Sequence, residues 1–157
     1  MDLSLTDTEV ARRLILAALL GAVFGLEREV RQKTAGLRTN ILIAVGAAVF
    51  TIMSIEMAHP TTGDPARIAA QIVTGIGFLG AGAIMRTRAG VQGLTTAATV
   101  WVNAAVGVAA GGGQYHLAFI ATAVTLIVLL AVGPLEGIIE RHLPRRRNGN
   151  SNGPTAS

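Results

Sequence analysis

The sequence predicts an all-α integral membrane protein, a bundle of about five short, glycine-rich transmembrane helices. Three observations carry that reading. Charged residues are 14% of the 157 positions and hydrophobic ones 51%, against roughly 25% charged in an ordinary soluble domain. From Ala89 to Leu135, 47 consecutive positions, no residue bears a formal charge; a bilayer can hide such a stretch and a soluble fold of this size cannot. The 13 lysines and arginines sit in short segments between the apolar runs, so the net charge of +4 does not describe a nucleic-acid surface. The length allows one compact unit. Without cysteine, neither a disulfide framework nor a thiolate metal site can form.

The expected spans are residues 10–26, 41–55, 68–85, 94–110 and 117–133, inside one membrane domain over 1–143. At 1.5 Å per residue, 17 residues cover about 26 Å, just enough for a hydrocarbon core and too little for much tilt. The first span carries Arg12 and Arg13 in its first turn, where arginine can snorkel to the interface. Acidic Asp2, Asp7 and Glu9, with no small-x-small site before Glu27, argue against a cleaved signal peptide. Residues Pro134 to Leu143 read as a short interfacial helix or the frayed end of span five. The Asn/Gly/Ser-rich segment 144–157 reads as a disordered cytoplasmic tail.

Orientation follows from the basic residues. Arg28, Arg31, Lys33 and Arg38 separate spans one and two, Arg86 and Arg88 separate three and four, and four arginines follow span five. The opposite side has only Arg12, Arg13 and Arg67. This bias places the N-terminus outside and the C-terminus in the cytoplasm.

The literal G-x-G-x-x-G at Gly75, Gly77 and Gly80 has no acidic residue twenty positions on, where Val100 and Trp101 stand. A dinucleotide site is therefore excluded and no cofactor is expected. Gly75, Gly77, Gly80 and Gly82 instead suggest close helix packing, with a break in the helix as a further option. Gly21-x-x-x-Gly25 and Gly107-x-x-x-Gly111 repeat the device. Thr95, Thr99 and Asn103 recur every four residues, and Arg67, Gln71 and Thr74 line a face of span three. Polar groups in lipid need partners, so the two stripes are expected to face each other or a small wet cavity. Interhelical hydrogen bonding is one reading and a solute path the other.

Glu27, Arg28 and Glu29 form a charged base at the end of span one, with Arg38 placed to answer Glu27 across the hairpin. Glu56, His59 and Asp64 share a loop without the supporting turn of a divalent-cation site, so no metal is assigned. Nothing arranges a nucleophile with a base, and no enzyme is expected. Carboxylates are missing from mid-membrane positions, which disfavours an ion-coupled pump.

The Glu-Arg-Glu turn at 27–29, Ala35-Gly-Leu-Arg-Thr-Asn40, Arg67-Ile-Ala-Ala-Gln-Ile-Val73, Gly75 to Gly82, and Gly93-Leu-Thr-Thr-Ala-Ala-Thr99 with Trp101 together resemble the MgtC/SapB family of bacterial inner-membrane proteins. The resemblance covers about residues 10 to 130. It implies a hydrophobic membrane domain, roles in growth at low magnesium and survival inside host cells, and, for some members, restraint of the F-type ATP synthase. The virulence proteins of the family usually continue into a soluble cytoplasmic domain, and often have Asn where Thr95 stands here; a short, general member is the expected label. The expected function is a regulatory membrane protein acting by contact with another membrane complex. The alternative is a small transporter or channel for magnesium, another ion or a solute. Expected partners are membrane lipid and such a complex, with a homo-oligomer open and nucleic acid excluded.

Overall fold

The computed structural model describes residues 5–58, 64, 66–88 and 90–142, with side chains of the last helix described through Val132. Five helices account for nearly all of it: α1 Asp7–Val30, α2 Leu37–Glu56, α3 Arg67–Gly82, α4 Leu94–Gly111 and α5 Tyr115–His142. A small antiparallel hairpin, β1 Met85–Thr87 and β2 Gly90–Gln92, joins α3 to α4 with Arg86 opposite Val91. Two compact units divide the chain, residues 1–126 and 127–157. Within the second, the described residues continue α5 as unbroken helix to His142. The expected tail at 144–157 lies outside the described residues.

α2, α4 and the first 18 residues of α5 are long and apolar enough to cross a membrane; α3 is apolar but has 16 residues. α1 is long, with 24 residues, and charged at both ends around the apolar run Leu14 to Leu26. Its start is written in Thr6-x-x-Glu9. The Thr6 hydroxyl accepts the Glu9 N–H at 3.3 Å, and Asp7 and Glu9 offset the positive end of the helix dipole. α3 was expected to reach residue 85 and stops at Gly82, because the chain turns into the hairpin. Gly93 ends that hairpin at φ +89°, a left-handed conformation in which a side chain would collide with the Ala83 carbonyl. The break within Gly75 to Gly82 that stood as a further option does not occur; α3 is continuous there.

α2 is the centre of the first unit. α1 runs antiparallel along one side: a Cβ on Gly21 would stand 2.8 Å from the Asn40 carbonyl oxygen, and one on Gly25 would stand 2.6 Å from Leu37 Cα. α4 runs parallel along another side, where a Cβ on Gly107 would stand against the Ala44 carbonyl and one on Gly111 would stand 2.6 Å from the Ala48 oxygen. Both G-x-x-x-G pairs thus press directly on the α2 backbone. In lipid no hydrophobic force draws helices together, so such backbone-to-backbone packing is the main attraction available. Side chains around it are small or branched: Ala17, Ala44, Ala48 and Ala110 are wholly buried, and Ile43, Ala47, Ile76, Val100 and Ala104 form the cluster where α3 joins.

The glycine-rich α3 corrects an expectation. A Cβ on Gly80 would stand 3.7 Å from Ala97, but one on Gly75, Gly77 or Gly82 would meet no heavy atom within 4 Å among the described residues. Among the described residues their smallness is not spent on packing. Gly107→Leu is therefore expected to cost on the order of 3 kcal/mol and to abolish a monodisperse product, whereas Gly77→Leu should purify and melt in detergent like the parent. Equal behaviour of the two variants would contradict this packing.

Candidate functional site

The motif segments that are distant in sequence converge at one end of the bundle, where α1 ends and α2 and α4 begin. Asn103, fully buried on α4, donates from Nδ2 to the Asn40 carbonyl at 2.8 Å and to Asn40 Oδ1 at 3.1 Å. Asn40, also fully buried, donates in turn to the carbonyls of Ala35 and Gly36, the latter at 3.0 Å. Ala35 has φ +60°, a region costly for a residue with a side chain. The bond from Asn40 holds that turn. Glu29 closes it from the other side, its carboxylate accepting the first N–H of α2, that of Leu37, at 3.1 Å.

Arg28 lies beside this turn and is 3% exposed. Its guanidinium donates to Thr96 Oγ1 on α4 and to the Thr34 carbonyl at 3.5 Å, while the Thr34 hydroxyl lies 3.3 Å from that of Thr96. The charge is thus met by neutral oxygens. Glu27, its neighbour, is taken by Arg31 at 2.8 Å. Nε of Arg28, Oε2 of Glu27 and Oδ1 of Asn103 are buried without a protein hydrogen-bond partner among the described residues.

The expected site residues divide accordingly. Arg28, Thr99 and Asn103 are buried and Gly80 packs on α4, with Thr99 donating to the Thr95 carbonyl at 2.8 Å. Thr95 itself is exposed, and its place in the buried stripe belongs to Thr96. Arg38 is exposed and does not answer Glu27, because Arg31, one helical turn on, reaches that carboxylate first. Arg67, Gln71 and Thr74 are all exposed, so the stripe on α3 does not meet the stripe on α4. Asn103 turns to α2 instead. Sequence reasoning missed Asn40, Thr34 and Thr96 as participants. The signal was present for one pair: Asn40 and Asn103 are the only asparagines before residue 148, each within a mostly apolar helix.

A second polar knot ties the opposite end. Glu9 accepts the Tyr115 hydroxyl at 2.5 Å and Arg13 Nε at 2.9 Å, and pairs with Arg12 at 2.6 Å. Those bonds, Tyr115 first and then Arg13 and Arg12, hold its carboxyl down to about 2. Arg13 also donates to the Gly111 carbonyl at 2.8 Å, neutralising the negative end of α4. Among the described residues no three His, Asp or Glu side chains come together as metal ligands. His59 of the Glu56–Asp64 loop lies outside the described residues.

Comparison with known proteins agrees with the converging motifs. The family model described as the MgtC family matches residues 14–138. Protein MgtC of Salmonella typhimurium strain LT2 is 55% identical over 113 residues, which are 72% of this chain and 48% of that protein. The putative magnesium transporter YhiD of Escherichia coli K12 is 48% identical over 124 residues, 74% of this chain and 57% of its own length. An uncharacterised protein of Synechocystis is 46% identical over 132 residues, 84% of this chain and 55% of its own. The chain spans about half the length of these relatives. No solved structure matches it. With the matched region running from within α1 to near the end of α5, the chain belongs to the MgtC family and is a multi-pass bacterial membrane protein.

Proposed function

We propose that the chain is a regulatory membrane protein that supports growth when magnesium is scarce and acts by contact with another membrane complex. The observation that carries this reading is the fate of its buried polar groups. Asn103, Asn40, Arg28 and Thr96 bond to one another or to helix backbone, which makes them adhesive between helices and not the walls of a path. The magnesium setting is supported by the name of the relative YhiD, and the family resemblance supplies the F-type ATP synthase as the candidate complex. For the contact face we choose α3. Ala70, Thr74, Gly77 and Ala81 are exposed and lie at i, i+4, i+7 and i+11, a strip of small residues on which another membrane helix can pack closely.

The transporter reading differs in which residues it needs. In a strain whose own copy is deleted, growth at low magnesium and membrane abundance are measured together. Asn103→Ala should cost on the order of 1 kcal/mol and lower abundance and growth in step. Gly77→Leu should leave abundance intact and abolish growth. Normal growth of Gly77→Leu, together with an abundant but inactive Gln71→Ala and magnesium flux in proteoliposomes, would establish the transporter instead.

The proposal includes an orientation. Arg28, Arg31, Lys33, Arg38, Arg86 and Arg88 all gather at the end where α1 stops and α4 starts, and the positive-inside bias assigns that end to the cytoplasm. A reporter fused after Gly112 should be active only in the periplasm, and one fused after Pro144 only in the cytoplasm. Reversed activities would overturn the orientation.

A further inference from the structure

α2 and α3 do not close on each other along their length. Between them runs a groove of about 600 Å³, within the usual range of ligand pockets. Leu42, Gly46 and Phe50 wall it from α2, and Ile72, Gly75 and Leu79 from α3. A Cβ on Gly46 or Gly75 would meet nothing within 4 Å, so the groove runs along two glycines rather than being filled by side chains. Its wall on α2 extends from Thr39 to Phe50, about 17 Å at 1.5 Å per residue. That is close to half of a hydrocarbon core of about 30 Å, the depth of one leaflet.

An alkyl chain of one leaflet matches a groove of this length. The groove's walls are apolar apart from Thr39 and Gln71, which suits hydrocarbon.

Charge decides what the chain is attached to. The Ile68 N–H donates to Ser54 Oγ at 3.1 Å, fixing α3 antiparallel to α2, and Gly80 meets Ala97 near the start of α4. The Thr39–Leu79 end of the groove is therefore the end where the hairpin lies. Arg38, one position before Thr39 and one turn before Leu42, is exposed there, as are Arg86 and Arg88 of the hairpin. None of the three has a carboxylate partner among the described residues. The acidic residues at this end are already engaged, Glu27 by Arg31 and Glu29 by the Leu37 N–H. At the far end Arg12 and Arg13 are paired with Glu9, and only Arg67 lacks a carboxylate there among the described residues. Helical side chains lean toward the helix N-terminus and arginine extends its head to the interface, so Arg38 at the start of α2 can reach a lipid phosphate.

We propose that the α2–α3 groove seats one acyl chain of an anionic phospholipid, with its phosphate held by Arg38 and the Arg86–Arg88 hairpin. Such a lipid fills the gap left by Gly46 and Gly75 and neutralises the unpaired arginines together.

Native mass spectrometry of the full chain, released from detergent with added phosphatidylglycerol or phosphatidylcholine, tests this. Phosphatidylglycerol should bind at least fivefold more tightly, and Arg38→Gln should weaken it about fivefold, the effect of one basic residue at a membrane surface, while leaving phosphatidylcholine unchanged. Gly46→Leu and, on the opposite wall, Gly75→Leu should each remove bound lipid of both kinds without lowering the melting temperature. Equal binding of the two lipids, or lipid retained in both leucine variants, would overturn the proposal. So would a dimer that Gly46→Leu converts to monomer with lipid occupancy unchanged, which would assign the groove to a second copy. If a leucine variant does not fold, the Arg38→Gln comparison alone decides.

Discussion

The rest of the structure depends on the contact of α2 with its two neighbours at backbone distance. Gly21 and Gly25 bring α1 onto Asn40 and Leu37, and Gly107 and Gly111 bring α4 onto Ala44 and Ala48. Any side chain at those positions would force the axes apart. Only at this separation can Asn103, a short side chain, reach the carbonyl of a residue on the neighbouring helix. That bond engages Asn40, Asn40 holds the strained Ala35 turn, and the turn brings Thr34 beside Thr96 and Arg28. Glycine spacing in the sequence thus becomes a helix separation, and the separation becomes a polar cluster that joins motifs more than sixty residues apart.

The five helices were legible because uncharged runs bounded by basic residues are a strong signal, and the two G-x-x-x-G pairs were legible as packing devices. The buried face of α4 was displaced in the reading for a geometric reason. Stepping by four accumulates about 40° per step on a helix of 3.6 residues per turn, so Thr95 stands about 80° from Asn103 and Thr96 only about 20°. Thr96 is the one that is buried. The Glu27–Arg38 pair failed because Arg31 competes from the same helix without closing a loop. Glycine content in α3 indicated smallness but could not say whether a neighbour stands opposite; at Gly75, Gly77 and Gly82 none does among the described residues. The hairpin was missed because its strands have three residues each, too few for a period to show.

Electrostatics separates the two ends. One knot of Glu9, Arg12, Arg13 and Tyr115 is internally compensated. The other end keeps Arg28 buried among neutral oxygens and leaves Arg38, Arg86 and Arg88 unpaired among the described residues. Charge that the chain does not satisfy by itself is charge available to something at the membrane surface. α3 presents most of its small side chains outward. The MgtC fold, as this member builds it, is closely packed where α1, α2 and α4 meet and open around α3.

The central claim is that glycine-licensed proximity creates the buried hydrogen bonds, and a thermodynamic cycle between Gly107 and Asn103, one turn apart on α4, tests it most directly. Unfolding free energies of the parent, Gly107→Ala, Asn103→Ala and the double variant would be measured in the same detergent. The account predicts that Asn103→Ala costs on the order of 1 kcal/mol in the parent and almost nothing once Gly107→Ala has moved the helices apart. Strict additivity of the two losses would contradict it, because the asparagine bond would then not depend on how closely α4 approaches α2.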